Sequence, residues 1–332
     1  MVFWIVLFST FGGSGFAGEN LDQLNNTGSD FPTGNMVSIT INAGLTDMDI
    51  RPLTDKEKEL ATILGKLRPL YTKLAQPKPG DWLYQTYEPG QTFSEYIQSE
   101  PVVPANDKKV IYIQPIGDFS RAQRNIVGLA AEFLGIFYNL KVKIKEALPL
   151  SIIPTKARRK HPQWGMDQVL TSYVLEDVLM PRMPDDAAMY IAFTAQDLWP
   201  GEGWNFVFGQ ASLDDRVGVW SIYRNGDPSK SPDEFRVCLL RTLKTAAHEG
   251  GHMFSMLHCI VYECGMCGSN SRVESDRRPL YFCPECMAKV WWATNAVPVK
   301  NLCLLEAFCR RQGLIAEADF YARSAVIIGG DK

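Results

Sequence analysis

The chain has 332 residues, of which 46% are hydrophobic and 21% charged, and a formal net charge of −3. This is the composition of a globular protein with enough sequence for one large domain or two ordinary ones. The near-neutral balance argues against nucleic acid or an anionic membrane as partner. Five of the eight cysteines crowd between Cys259 and Cys286, a local cluster that suits metal better than a disulfide framework.

The chain opens on MVFWIVLFSTFGGSGFAG, an apolar run followed by small residues in which Gly15-Phe16-Ala17 could pass as a cleavage site. No Lys or Arg precedes the run, and it is too short to span a bilayer. Residues 1–17 are therefore expected to be either a secretory leader or an unusual start, and no other segment is expected to enter a membrane. Asn25-Asn26-Thr27 is a glycosylation sequon of the kind that also occurs freely in polar linkers. Rich in Gly, Asn, Asp and Thr without periodicity, residues 18–53 read as loop or disorder, so 1–50 form a lead-in.

A helical extension and connector are expected over 51–105. Thr54 and Glu57 make a capping box, and Leu60, Ile63, Leu64, Leu67 and Leu74 recur at helical spacing. QPKPGDWLYQTYEPGQTF then reads as a Pro/Gly-punctuated connector.

Residues 106–332 read as the compact main domain. VIYIQPI is a short buried strand, RAQRNIVGLAAEFLGIFYNL a helix, and LKVKIKEAL a strand with one wet face. The basic run KARRKH, Lys156–His161, is expected to be an exposed loop rather than an anion patch. A second helix is expected over Asp167–Leu179, followed by strands AAMYIAFT, WNFVFGQA and VGVWSIY. WNFVFGQA is either an interior strand or an edge strand along a cleft. This order of elements suggests a mixed sheet with helices packed on it. Ser231 at N-cap, Pro232 at N1 and Glu234 at N3 then begin a helix that carries Phe235, Cys238, Leu239 and Leu243 inward. Two helices close the chain, near Asn301–Gln312 and Ile315–Ile328, with Gly313 between them. Cys238, Cys303 and Cys309 read as core.

Three of the four histidines lie within HEGGHMFSMLH, His248 to His258. Helix positions i and i+4 are about 400° apart, so His248 and His252 project side by side and can share one Zn²⁺. Glu249 lies beside that pair, placed to accept a proton from an attacking water without binding the metal; this is the H-E-x-x-H arrangement. Six residues further, at about 600° of continued helix, His258 would point away. It can be the third ligand only if the helix stops and the chain turns back. The extended motif places a glycine at that turn; here the residue is Ser255.

Two tetrahedral sets are open to the cysteines. Cys264, Cys267, Cys283 and Cys286 have zinc-ribbon spacing, and Cys259, Cys264, Cys283 and Cys286 are the alternative. Either is a closed, structural site.

The run from His248 to Cys286 resembles the archaemetzincins, whose pattern is H-E-x-x-H-x-x-G-x-x-H-C-x₄-C-x-M followed by a distant C-x-x-C. GDWLYQTYEPGQTF, IYIQPIGDF, WNFVFGQA and RVGVWSIYR resemble the vertebrate-type branch. The resemblance covers most of the chain from about Gly80. It implies an α+β fold of the zincin type: a mixed twisted β-sheet packed with helices, an active-site helix ending in HExxH, a small four-cysteine zinc subdomain and C-terminal helices. It also implies a zinc peptidase with aminopeptidase-like activity on small peptides and an intracellular location, with secretion through residues 1–17 as the alternative. Two zinc ions per chain would be held, the catalytic one by His248, His252 and His258 and the structural one by Cys259, Cys264, Cys283 and Cys286. Glu249 would be general base and acid, and Met266 would form the Met-turn beneath the metal. Ser255 and the extra Cys267 depart from the pattern. The rival readings are a non-catalytic zinc protein in which Ser255 has disordered the third ligand, and a zinc-ribbon interaction module. Peptide substrates, no nucleic acid, no stable membrane insertion and a monomer are the expectations for partners.

Overall fold

The computed structural model describes residues 4–8 (backbone only), 51–105, 107–212 and 214–330. The lead-in expected over 18–53 lies, apart from residues 51–53, outside the described residues. The described residues from Leu53 onward belong with Trp4–Phe8 to one compact unit.

In chain order the elements are β1 (Trp4–Phe8), α1 (Asp55–Leu67), α2 (Trp82–Gln85), α3 (Phe93–Gln98), β2 (Val110–Ile116), α4 (Arg121–Phe137) and β3 (Lys141–Ile144). Next come β4 (Arg158–Lys160), β5 (Asp167–Leu170), α5 (Thr171–Tyr173, continued as a π-helical stretch over Val174–Leu179), β6 (Ala187–Thr194), β7 (Asp197–Trp199), β8 (Val207–Ser212) and β9 (Val217–Ser221). The helices α6 (Pro232–His252), α7 (Arg272–Arg277), α8 (Pro284–Thr294), α9 (Pro298–Arg311) and α10 (Ile315–Gly329) complete the chain.

The strands form one mixed sheet in the order β3-β2-β6-β9-β8-β7-β5-β4, with β1 paired to β8. β6 lies inside it, parallel to β2 on one side and to β9 on the other. All of its residues are buried, as a strand covered on both faces requires. Alternation divides the side chains between two layers. Ile111, Ile113, Met189, Ile191 and Trp220 face the layer containing α4, α6 and the C-terminal helices, while Val110, Tyr112, Tyr190, Val217 and Val219 meet Leu175 and Val178 on the opposite face.

The edge of β8 decides how the site is framed. Gln210 and Ala211 pair with β9 on one side and with Val6 and Ile5 of β1 on the other. Val207 of β8 also pairs with Leu198 of β7, so within WNFVFGQA the strand proper begins at Val207 and lies inside the sheet, between β9 and β7, with β1 paired along it.

Three sequence expectations are corrected. The helix expected from Asp167 starts only at Thr171, because Asp167–Leu170 pair as a strand between β4 and β7 and Gln168 donates to Asp197 at 2.8 Å. KARRKH is not an exposed loop: Arg158–Lys160 is β4, the Arg159 guanidinium stacks on Trp199 and donates to the Trp204 carbonyl, and His161 is buried against Trp164. Cys303 is exposed, whereas Cys238 and Cys309 are buried.

Thr54 caps α1 with a reciprocal capping box and Ser231 caps α6 by accepting from the Glu234 N–H. Gly313 breaks α9 from α10 at φ +71°. The extension packs onto the C-terminal half, with α1 against α8 and α10 and α3 against α8.

Candidate active site

α6 is one continuous helix through Glu249 and His252, and its last turns are wholly buried. Two glycines there serve close packing. A Cβ on Gly250 would lie 2.8 Å from the Tyr138 ring, and one on Gly251 would lie 2.6 Å from the Met266 Sδ. Tyr138 also donates its hydroxyl to the Ala247 carbonyl at 2.5 Å. Thus Met266 lies directly beneath the end of the helix.

The helix ends at Met253, and Ser255 turns the chain at φ +58°, in the left-handed region where a glycine stands in the extended motif. The bend is held from outside. The Val102 N–H donates to the Ser255 hydroxyl at 3.0 Å, Tyr96 donates to the Phe254 carbonyl at 2.8 Å, and the Leu257 N–H donates to Gln91 at 3.3 Å. All three partners lie in or beside the connector. His258 is thereby returned to the other two histidines.

The three imidazoles converge, with ring centroids 4.6–5.2 Å apart. Each Nδ1 faces an acceptor: the Gly265 carbonyl at 2.8 Å for His248, the Met256 carbonyl at 2.7 Å for His252, and the Glu88 carboxylate at 2.7 Å for His258. Such acceptors take a proton from Nδ1 and leave each Nε2 with a lone pair. The Nε2 atoms of His248 and His252 nevertheless lie 3.0 Å apart, and the buried Nε2 of His258 has no partner. Lone pairs so arranged repel unless a cation lies among them. Burial and the neighbouring His258 push His248 down to about 3, and burial with both neighbours pushes His252 well below the ordinary imidazole value. Both shifts favour the neutral, lone-pair-bearing imidazole that a metal would need.

Glu249 is fully buried and neither carboxylate oxygen has a partner; burial alone pushes its carboxyl well above the ordinary value. A nearby cation would reverse that shift. The backbone of β8 runs against this residue, for a Cβ on Gly209 would sit 3.3 Å from the Glu249 Cγ. The three imidazoles, the two orphaned oxygens and the unpartnered Nε2 fit a zinc ion with an open coordination position.

The four sulfurs of Cys259, Cys264, Cys283 and Cys286 form a second buried group, all within 4.8 Å of one another. Cys267 is not in it, and its thiol donates to the Tyr262 carbonyl at 3.2 Å. Hydrogen bonds from its neighbours, Cys264 first, hold Cys259 well below the ordinary thiol value, whereas burial pushes Cys264 well above it. A dication among them would draw all four to thiolates. His258 and Cys259, successive residues, belong to the two different groups.

Sequence reasoning missed Glu88 and Gln91. Both lie in the connector, whose Pro/Gly punctuation carries no periodicity to betray a buried role.

Residues 175–291 match the profile of peptidase family M54. Archaemetzincin-2 of Macaca fascicularis is 34% identical over 258 residues, 68% of this chain and 71% of the relative. Archaemetzincin-2 of Homo sapiens is 33% identical over the same shares. The crystal structure of archaemetzincin from Methanopyrus kandleri aligns with a TM-score of 0.47 and 28% identity, covering 58% of this chain and 99% of that one. The chain belongs to the archaemetzincins, peptidase family M54, and with them to the zinc metallopeptidases.

Proposed function

We propose that the chain hydrolyses peptide bonds, with aminopeptidase-like action on small peptides, through a zinc held by His248, His252 and His258. The observation that carries this reading is the convergence of three oriented imidazoles beside a buried carboxylate with no partner of its own. Bound zinc would acidify a water and polarise the scissile carbonyl. Glu249 takes the proton from the attacking water and returns it to the leaving amine. Its burial keeps competing water away from that carboxylate. If Trp4–Phe8 gave way, the edge of β8 it pairs with, running past Glu249, would offer main-chain groups to an extended peptide. The four cysteines hold a second, structural zinc, and Met266 packs under the helix end as the Met-turn.

Against the non-catalytic reading stands the bend itself: Ser255 takes the left-handed conformation with its hydroxyl bonded, and His258 faces the other two histidines. Against an interaction module stands the burial of the cysteine group. The working form is a monomer acting inside the cell, with no nucleic-acid partner. Among the described residues, no helix is long and apolar enough to cross a membrane.

Glu249→Gln tests the reading. The variant should keep two zinc ions per chain and lose peptide hydrolysis by roughly 10²–10⁴-fold or more. A variant that still cleaves aminoacyl fluorogenic substrates at the parent rate would remove Glu249 from the role.

A further inference from the structure

The three histidines are not held alike. His248 and His252 donate to main-chain carbonyls of the surrounding loops, whereas His258 donates to the side chain of Glu88, 170 residues earlier, at 2.7 Å. The same Oε1 of Glu88 accepts the Trp82 indole N–H at 2.8 Å, and that indole packs edge-on to the His258 ring at 5.7 Å. The Trp82 backbone N–H is in turn fixed by Glu274, whose carboxylate is 1% exposed and also accepts from the Asn270 N–H at 2.7 Å. Of these three, His258 is the one outside α6, so no helix sets its direction.

We propose that Glu88 is a positioning residue for the third ligand: reaching in from the connector, its carboxylate fixes the tautomer and ring plane of His258 and, through them, the zinc affinity of the site. A carboxylate on the far nitrogen makes an imidazole a stronger donor to a metal, and a ring held from behind does not rotate away. Glu88 touches neither substrate nor metal, and acts only through His258. The role rests on the zinc site proposed above, but it is read through metal binding, so the two can fail separately. A parent protein that binds zinc at the histidines and cleaves nothing would sink the peptidase and leave Glu88 in place.

The test uses the full-length, zinc-loaded protein, with Glu88→Ala and Glu88→Gln beside the parent. Zinc content is followed against rising chelator, and the visible spectrum is recorded after Co²⁺ replaces the more labile ion. Glu88→Ala should surrender the first zinc at roughly 10–100-fold lower chelator concentration, keep the second, and shift the Co²⁺ bands. Glu88→Gln, which retains a neutral acceptor at the same place, should fall between the two. Retention of both ions at the parent chelator concentration with an unchanged Co²⁺ spectrum would overturn the proposal. So would simultaneous loss of both ions from Glu88→Ala with a Glu88→Gln indistinguishable from the parent, since Glu88 would then serve the fold and not the histidine.

Discussion

Ser255 and Val102 are joined by a hydrogen bond of 3.0 Å, main-chain N–H to hydroxyl, at the point where the chain reverses between the second and third histidines. A β-carbon at φ +58° costs on the order of 1 kcal/mol, and a hydrogen bond to a partly buried donor returns about the same. The serine therefore holds the bend by a contact that glycine cannot make. Ser255→Ala, which keeps the strain and loses the bond, should cost about 1–2 kcal/mol of stability in urea unfolding of the zinc-loaded protein. Ser255→Gly, which loses both, should stay within about 1 kcal/mol of the parent. A fully neutral alanine variant would show the hydroxyl to be idle.

Gly251 is required by Met266. Alanine in a helix interior ordinarily gains about 1 kcal/mol over glycine, but here the added carbon would meet the Met266 sulfur at 2.6 Å. Gly251→Ala should instead destabilise by about 1–3 kcal/mol, the range for overpacking a filled core. Adding Met266→Ala should recover part of that loss. A double-mutant cycle without coupling between the two positions would rule out the contact as the cause.

The sulfur group gives a sharper choice. Cys267 spends its thiol on the Tyr262 carbonyl, outside the four-sulfur set. Cys267→Ser should therefore keep the parent zinc content, and Cys259→Ser should lose one ion and cost several kcal/mol. Zinc counts by elemental analysis that reverse this order would make Cys267 the ligand.

Trp4–Phe8 lies along the same edge of β8 that an extended substrate would use. Deleting residues 1–10 should lower KM for peptide substrates and leave kcat nearly unchanged. An unchanged KM would show that this pairing does not compete with substrate.

Much of the site could be read before any coordinates, for local reasons. Ser231, Pro232 and Glu234 announce the start of α6, and the spacing of His248 and His252 determines a shared face on any helix. The need for a chain reversal before His258 follows from the same arithmetic, and the reversal falls at Ser255. What escaped depends on distant partners. Asp167–Leu170 looks helical in isolation and becomes a strand because β4 and β7 flank it. Arg159 looks like a surface charge until Trp199 and the Trp204 carbonyl receive it. Glu88 sits in a segment with no period at all, and only the folded chain brings it to His258.

His258 and Cys259 share a peptide bond yet serve different clusters. Tightening the sulfur cluster pins the main chain at Cys259, which narrows the arc through which the preceding imidazole can swing. If both clusters hold zinc as proposed, occupation of one would raise the affinity of the other, and a chain stripped of both ions should refill in sequence, thiolates first. Reconstitution with limiting zinc would then yield molecules that are folded and inert before any that turn over.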